Sequence, residues 1–376
     1  MKVAIAGGKL QGVEAAYLSS QAGWSTVLID KKKKPPAAGL CSSFYCMDII
    51  RDYHDVKNIM VNVDLIIPAI EDTAVLKLLQ KISKELKIPL AYDEKSYYIS
   101  HSKKRSNRLF KKLGVIMPGN WPDCKFPVIA KPSLSSGSRH VLKIDNNNDM
   151  NDFKNKSGRK LKEWILQEYV EGPSYSVEVL GLDGKYKALQ VTELGMDDNY
   201  DCNRVLAPAE IPNYLEKQIK EIAVNIAESL NLKGIMDVEF IFDKGVLKIL
   251  EIDARLPSQT PTAVYKSIQL NMIESIADIF IKGFISEIPE IKSPGGVIYE
   301  HIKVWKNRID FPGEHAIGSA GLLKIVTGFF GSDSAITNFE DSKFPWVATL
   351  ICTGKSRQQA LFKRNRVIEN IRQSIN

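Results

Sequence analysis

Two apolar segments that carry carboxylates at alternate positions constrain the fold more than any other feature of this 376-residue chain. Residues 236–242 (MDVEFIF) and 246–252 (VLKILEI) read as strands, and the sequence DKG between them is typical of a hairpin turn. Because residues two apart in a strand share a face, Asp237 and Glu239 point to the same side. The chain must therefore fold so that acidic side chains cluster on one face of an otherwise apolar sheet.

The second strand runs into a charged tail, in which Glu251, Asp253 and Arg255 alternate with apolar residues. The hairpin allows Glu239 to lie opposite Glu251. Several carboxylates on one face repel one another unless a cation lies among them, and oxygen ligands suit Mg²⁺, which takes one or two carboxylates plus phosphates. A neighbouring arginine can stabilise a transferring phosphoryl group. The alternative is a solvated sheet face with salt bridges. The apolar neighbours disfavour it, because they indicate a packed sheet.

The first 95 residues alternate short apolar strands with helices, which predicts a parallel, doubly wound sheet. The loop GGKLQG follows the first strand, and Asp30 closes the second, as in a dinucleotide-binding fingerprint. However, Lys9 replaces the middle glycine, which lets the backbone approach a pyrophosphate. The loop still opens a helix and can bind a carboxylate or phosphate near Lys9 and Gln11. Bound NAD and a purely structural turn are the alternatives.

The middle of the chain contains two lysines and a Ser/Gly loop that could together bind phosphates. Lys131 leaves an apolar strand and precedes a Ser/Gly loop at residues 133–138, which can fold over phosphates with its backbone N–H groups. Lys103 begins a helix predicted over 103–113, and 263–284 reads as one long helix. The stretch LQEYVEG predicts a strand end that offers backbone groups to an adenine ring. Each lysine alone could be an ordinary surface residue, but the order of these motifs is difficult to obtain by chance.

Together, these motifs resemble the ATP-grasp superfamily of carboxylate–amine ligases over nearly the whole chain. The resemblance implies an α/β chain with an ATP-grasp fold, ATP and Mg²⁺ as cofactors, and three parts. These are an N-terminal Rossmann-like parallel-sheet domain (1–95), a two-lobed central ATP-binding domain (96–290, small lobe about 115–172) and a C-terminal α+β segment (291–376).

The same resemblance assigns roles to individual residues. The implied ATP-binding residues are Lys103, Lys131, Ser138, Glu168, Tyr169 and Val170, together with Lys9 and Asp30 of the N-terminal domain. The implied metal ligands are Glu239, Glu251 and Asp253, and Arg255 matches the catalytic arginine. The chain departs from the superfamily at Asp253, which is usually Asn, and at Ser174, where many members have a ribose-binding Glu.

Further stretches resemble the ligases of pyrrolysine biosynthesis, which join 3-methyl-D-ornithine to the ε-amine of L-lysine: GGKLQGVEAAYL, EGPSYSVEVLG, YDCNRV, LKGIMDVE, EIDARLPSQTPT and YEHIKV. An ornithine-type substrate is then expected near Ser176, Val177, Glu178, Asp201, Asp237, Ser258, Gln259 and Thr260. L-Lysine is expected near Leu10, Gln11, Glu71 and His301.

The residue chemistry bears on some of these positions. An ornithine carries two ammonium groups, which Glu178 and Asp201 could bind, although both could be ordinary exposed acids. Glu71 follows a parallel strand, at the end where ligands bind in open α/β sheets. Asp72, next to Glu71, is equally well explained as a helix N-cap. His301 could face the lysine pocket, although a lone histidine is more often structural.

The sequence therefore predicts an Mg-ATP-dependent amide ligase. Within the same superfamily, the alternatives are a ligase of D-Ala-D-Ala type and a carboxylase, although no biotin-attachment sequence such as MKM is present. A non-catalytic nucleotide-binding protein and an NAD-dependent oxidoreductase are alternatives of another class. The acidic substrate positions favour cationic amino acids over alanine.

Composition narrows the range of partners. The 51 Lys and Arg against 44 Asp and Glu give a net charge of +7, which favours anionic ligands without requiring nucleic acid. The chain contains no run of 18 apolar residues, so no membrane-spanning helix is expected. Five cysteines without CxxC spacing predict reduced thiols in a cytoplasmic protein without zinc. Small-molecule substrates are the expected partners, and the resemblance suggests a possible homodimer.

Overall fold

The computed structural model describes residues 1–135, 137–138, 140–289 and 293–375. Ser136 of the predicted phosphate loop and the predicted domain boundary between 290 and 291 lie outside the described residues. The described chain contains three β-sheets: the N-terminal sheet, with strands within residues 2–68, the small-lobe sheet, within 128–168, and the large sheet, within 174–354.

The N-terminal sheet consists of β1 (Lys2–Ala6), β2 (Ser25–Asp30), β3 (Ser43–Cys46) and β4 (Leu65–Pro68). The four strands are parallel in the order β3-β2-β1-β4, which confirms the predicted parallel sheet. Buried aliphatic residues fill β1 and β4, as expected for a sheet covered on both faces. The helices of this part are α1 (Leu10–Gln21), α2 (Tyr53–Met60), α3 (Thr73–Leu86), α4 (Glu94–Ser100) and α5 (Lys103–Leu113).

Asp72 begins α3 as its N-cap. Its carboxylate accepts hydrogen bonds from the backbone N–H groups of Ala74 (2.9 Å) and Val75 (3.3 Å), so the capping interpretation is confirmed for this residue. The cap fixes the end of the loop after β4, and with it the position of the adjacent Glu71.

The small-lobe sheet is antiparallel, in the order β6-β5-β7. Its strands are β5 (Val128–Pro132), β6 (Leu142–Ile144) and β7 (Trp164–Glu168). Helix α6 (Asn147–Ser157) and a 3₁₀ turn (Gly158–Glu163) connect β6 to β7. Val128 and Ala130 are fully buried, so Lys131 leaves the sheet at the end of an apolar strand, as predicted.

The large sheet contains eleven described strands. Their bounds are β8 (Ser174–Leu182), β9 (Lys185–Ala188), β10 (Thr192–Met196), β11 (Cys202–Ala207), β12 (Gly234–Asp243), β13 (Val246–Asp253), β14 (Gly296–Trp305), β15 (Arg308–Asp310), β16 (Lys324–Thr327), β17 (Ser334–Thr337) and β18 (Trp346–Gly354). The order is β13-β12-β8-β10-β11-β14-β18-β17-β16, with β9 paired to β8 and β15 to β14. Because β11 pairs with β14, strands from both sides of the predicted boundary at 290 share one sheet.

Helices α7 (Asn213–Leu230), α8 (Thr260–Ile268), α9 (Met272–Ala277), α10 (His315–Gly318) and α11 (Arg357–Ile375) complete the fold. The prediction of one helix over 263–284 was wrong. Gln269 adopts a left-handed conformation (φ +57°) that ends α8, and a π-helical turn (Asp278–Lys282) follows α9. The apolar periodicity continues across the break because both pieces pack on the same core.

One buried cluster joins the N-terminal sheet to the large sheet. It includes Val3 of β1, Tyr17 of α1, Ile273 of α9 and Tyr299 of β14. The carboxyl ends of the N-terminal strands are thereby held against the β12–β13 hairpin. No described helix is long and apolar enough to cross a membrane.

Candidate active site

The β12–β13 hairpin brings four carboxylates together. In its register Glu239 is the direct partner of Glu251, which confirms the predicted pairing, and Asp237 is the partner of Asp253. The intervening Val238 is fully buried in the core on the opposite face. The alternation that was read from the sequence therefore separates an apolar face from an acidic one.

Two lysines from other parts of the chain approach this acidic face. The Lys103 ammonium lies 2.7 Å from Glu251 Oε2 and donates to the Ser135 carbonyl oxygen, also at 2.7 Å. Lys131 is close enough to Lys103, Glu251 and Glu239 to interact with all three, and its pKa is lowered, first by burial and then by Lys103. A lysine pair of this kind favours an anion such as a phosphate chain between the lobes.

The acidic face carries more negative charge than the lysines balance. Burial raises the pKa of Glu239 well above its usual value, and Asp237 and Glu251 raise it further. The pKa of Asp237 is raised in the same way, by burial and then by Glu178. Carboxylates held in this state have a strong affinity for a cation that relieves both desolvation and repulsion.

The donor set fits Mg²⁺ bound together with a nucleotide. Among the described residues no three His, Cys, Asp or Glu side chains are arranged to hold a metal alone. Mg²⁺, however, binds proteins through one or two carboxylates and takes its other ligands from phosphates and water. Glu239 and Glu251, which pairs with Lys103, could supply these two ligands, and the third predicted ligand, Asp253, pairs with Arg255 on the same face.

Arg255 joins three separate parts of the chain. Its guanidinium donates to both carboxylate oxygens of Asp253 (2.9 and 2.7 Å), to Glu71 Oε1 (2.7 Å) and to Gln11 Oε1 (2.7 Å). The backbone before it is fixed because the Ala254 N–H donates to Ser100 Oγ in α4. Burial alone would lower the pKa of Arg255, but Asp253 and Glu71 raise it above its ordinary value, so the side chain is a permanent cation here.

A cavity of about 250 Å³ lies between the small-lobe sheet and the large sheet. Six of the eight predicted ATP-binding residues line it: Lys103, Lys131, Ser138, Glu168, Tyr169 and Val170. Ser174, at the position where the superfamily often has a ribose-binding Glu, also lines it. The Tyr169 N–H donates to the Pro127 carbonyl, which holds the chain after β7 against the lobe. We refer to this space as the nucleotide cavity.

A second cavity of about 490 Å³ opens between the N-terminal sheet and the large sheet, and we refer to it as the amino-acid cavity. The predicted substrate and catalytic residues that line it are Leu10, Gln11, Glu71, Ser176, Asp201, Asp237, Arg255, Ser258, Gln259 and Thr260, and the predicted metal ligand Asp253 lines it as well. Lys9 and Asp30 line this cavity too, and not the nucleotide cavity. Asp30 accepts a hydrogen bond from the Gly8 N–H at 2.7 Å, so it stabilises the glycine loop.

The two cavities meet at the acidic face. Ser138, Glu239 and Glu251 line both of them. A group transferred between ligands in the two spaces would therefore pass directly over the Glu239–Glu251 pair.

Three predicted substrate residues lie elsewhere in the described structure. His301 is buried, with its Nδ1 2.8 Å from Thr349 Oγ1, and burial lowers its pKa to about 3. Val177 lies in β8 next to Ser176, so its side chain points to the opposite face of the sheet, where it packs in the core. Glu178 is fully buried and lines neither cavity, and burial raises the pKa of its carboxyl group to about 7, although Thr260 lowers it.

The structure also brings residues to the site that the sequence did not indicate. Glu314 and His315 line the amino-acid cavity from the C-terminal part of the chain. Glu14 lies fully buried in α1, and its carboxylate accepts from the N–H of Thr262 at the start of α8. No local motif marks these acids, since their hydrogen-bond partners are between 55 and 248 residues away in the chain.

Glu14 makes the stability of the ligand-free protein depend on pH. Burial raises its pKa from 4.5 to about 7, despite the Thr262 bond. An acid with a raised folded-state pKa is most stabilising below its unfolded pKa, and the stability falls as pH rises toward 7. Glu14→Gln should keep the Thr262 bond and gain up to about 3 kcal/mol over wild type between pH 4.5 and 7.5, as measured by urea unfolding. The exposed Glu369→Gln variant should follow wild type, and an unchanged pH slope in Glu14→Gln would contradict the assignment.

Known proteins with similar sequences and folds indicate the family to which this chain belongs. The model of the ATP-grasp domain family matches residues 77–259. A 3-methyl-D-ornithine–L-lysine ligase of Methanosarcina barkeri is 34% identical over 363 residues, which cover 96% of this chain and 95% of the relative. The ligase of the same name from Methanosarcina acetivorans is 33% identical with the same coverage.

Among solved structures, the biotin carboxylase domain dimer of the Hydrogenobacter thermophilus 2-oxoglutarate carboxylase, in complex with MgADP and bicarbonate, has a TM-score of 0.75. The similarity covers 98% of this chain and 89% of that chain at 16% identity. At this identity the likeness concerns the fold, which is that of the ATP-grasp enzymes.

Proposed function

This chain belongs to the family of 3-methyl-D-ornithine–L-lysine ligases, which are ATP-grasp enzymes, and we propose that it catalyses their reaction in pyrrolysine biosynthesis. The substrates are 3-methyl-D-ornithine, L-lysine and ATP. The products are 3-methyl-D-ornithyl-N6-L-lysine, ADP and phosphate. ATP and Mg²⁺ serve as cofactors.

The observation that supports this proposal most strongly is the junction of the two cavities at Glu239 and Glu251. A ligase that activates a carboxylate with ATP needs the γ-phosphate and the acceptor carboxylate within reach of each other. A nucleotide-binding protein without catalytic function would need only the smaller cavity.

The chemistry proceeds in two steps. The ornithine carboxylate attacks the γ-phosphorus of ATP, ADP leaves, and an acyl phosphate forms. The lysine ε-amine, after losing its proton, attacks the acyl carbon and releases phosphate. Lys103 and Lys131 are positioned to hold the phosphate chain, and Arg255 to stabilise first the transferring phosphoryl group and then the tetrahedral intermediate. Mg²⁺ bound by Glu239 and Glu251 would neutralise phosphate charge.

The acidic character of the amino-acid cavity favours cationic substrates. Asp201 and Asp237 line it, and Glu71 lies at its N-terminal side next to Gln11. We propose that Glu71, Gln11 and Leu10 bind L-lysine. The ornithine is then bound between β8 and the start of α8, near Ser176 and Ser258. Alanine-sized substrates carry no side-chain ammonium for these carboxylates to attract, which disfavours a D-Ala-D-Ala ligase.

Purified protein with Mg-ATP should release ADP only when D-ornithine, as a stand-in for the methylated substrate, and L-lysine are both present. Mass spectrometry should detect an ornithyl-lysine product in the same mixture. ADP release with D-alanine alone would indicate the D-Ala-D-Ala alternative. Binding of ATP without turnover for any cationic pair would contradict the ligase proposal and favour a nucleotide-binding protein.

We also propose a cytoplasmic location and a homodimeric state for the enzyme. The five cysteines are unpaired in the structure, which is compatible with a reducing cytoplasm. A homodimer is proposed from family resemblance, and the carboxylase domain with MgADP is described as a dimer.

A further inference from the structure

A loop from the C-terminal part of the chain forms one wall of the amino-acid cavity. The Gly313 N–H donates to Asp197 Oδ2 (2.9 Å), and the Glu314 N–H donates to the Cys202 carbonyl (3.0 Å). The His315 N–H donates to Asp201 Oδ2 (3.1 Å), and His315 Nδ1 lies 2.7 Å from the same oxygen. The loop is thus fastened to the connection between β10 and β11.

This fastening depends on the absence of a side chain at Gly313. A Cβ atom there would lie 2.1 Å from Asp201 Oδ2, so only glycine permits the observed approach. The close contact places the next residue, Glu314, at the edge of the cavity with a defined orientation.

The Glu314 carboxylate is held from one side only. Its Oε2 accepts from Ser258 Oγ (2.7 Å) and from Gln259 Nε2 (2.9 Å), both in the segment before α8. Its Oε1 accepts no hydrogen bond from the described residues. Burial, and then the neighbouring Asp201, disfavour the charged form and raise the pKa of Glu314, although Ser258 lowers it. A cationic ligand would reverse this effect.

Gln259 provides a second, independent observation. It has a strained backbone (φ +73°, ψ −58°), a kind of conformation that is concentrated at functional sites. Its side chain is 4% exposed, and its Oε1 is buried without a donor among the described residues. The Gln259 Nε2 group donates to the Glu314 carboxylate, and this bond fixes the orientation of the amide. In that orientation Gln259 Oε1 has no donor among the described residues.

Gln259 Oε1 and Glu314 Oε1 are thus two acceptors on neighbouring side chains that accept no hydrogen bond from the described residues. Unpaired buried acceptors cost free energy unless a ligand supplies donors. The group that offers several N–H donors and a positive charge together is an ammonium.

We propose that Glu314 is a specificity-determining residue, whose Oε1, together with Gln259 Oε1, binds an ammonium group of the diamino-acid substrate. The inference rests on the proposed function and extends it, because it assigns the recognition of substrate charge to the C-terminal part of the chain.

Glu314→Gln tests this assignment because the amide oxygen can still accept from Ser258 and Gln259, whereas the charge is lost. We expect KM for D-ornithine to rise about 10- to 100-fold, with KM for ATP and L-lysine within about twofold of wild type. Glu314→Asp, which keeps the charge, should recover part of the loss. The matched control is Glu340→Gln, an exposed glutamate that lies in the same part of the chain and should behave as wild type.

Two results would overturn the inference. One is an unchanged KM for D-ornithine in Glu314→Gln, and the other is an equal loss for all three substrates, which would indicate a structural role. Both are distinct from failure of the proposed function, in which wild-type protein itself would form no product from D-ornithine and L-lysine. Thermal unfolding of each variant establishes that the fold is intact.

Discussion

Arg255→Ala should reduce kcat by about 10²- to 10³-fold, which is the usual effect of removing one positioned donor from a charged transition state. The proposed role of Arg255 is to stabilise the transferring phosphoryl group and then the tetrahedral intermediate. Its contacts lie on the amino-acid side of the acidic face, so the nucleotide cavity should remain intact. ATP binding, measured by calorimetry, should therefore remain within about threefold of wild type.

Arg255→Lys should be nearly as inactive. A single ammonium cannot reproduce the planar fork that contacts Asp253, Glu71 and Gln11 together. Arg372→Ala, at an exposed arginine in α11, is the matched control and should retain full activity. Turnover of Arg255→Ala close to that of wild type would reject the catalytic assignment.

Glu239→Gln should lower the activity of the enzyme without lowering the stability of the ligand-free protein. In the ligand-free protein the Glu239 carboxylate is buried next to Asp237 and Glu251, which raises its pKa, so loss of the charge at pH 8 should not lower Tm. Activity should fall by about 10²-fold, or about 2.7 kcal/mol, because one of the two proposed Mg²⁺ ligands is lost. The increase in Tm that Mg-ATP produces in wild type should be absent.

Thermal shift with ATP alone and with Mg-ATP distinguishes the metal from the nucleotide. Glu221→Gln, at an exposed glutamate in α7, should show the wild-type response to both. If Glu239→Gln retained the full Mg-ATP shift, Glu239 would not be a metal ligand, and the pairing with Glu251 would have another purpose.

Local patterns in the sequence were sufficient for the centre of the site. The alternation in β12 and β13 and their short turn bring the two acidic segments side by side, and a register shift between Glu239 and Phe240 completes the pairing of Glu239 with Glu251. Lys103 begins its helix at the predicted residue, and Lys131 leaves its strand as predicted. The positions of the two lysines depend only on the period of a strand or helix and on short connections.

The remaining features depend on contacts that are distant in the chain. Glu314 reaches Ser258 over 56 residues, and Glu14 reaches Thr262 over 248, so no window of the sequence contains both partners. Val177 was predicted as a substrate contact because it lies within a conspicuous motif, but the strand period directs it to the core. The break after α8 depends on a single left-handed residue, Gln269, which the helical periodicity does not reveal.

The pairing of β11 with β14 has a consequence for how the chain acquires its active site. Arg204 pairs with Glu300, and β14 is covered in turn by β18, which ends at Gly354. These are non-local contacts, which form slowly because a long intervening segment must be ordered first. During synthesis, the N-terminal sheet can form early, but the large sheet lacks β16, β17 and β18 until residue 354 has been synthesised. The amino-acid cavity, with Glu314 in its wall, therefore takes its final form after the N-terminal sheet, because its walls come from residues that are far apart in the chain.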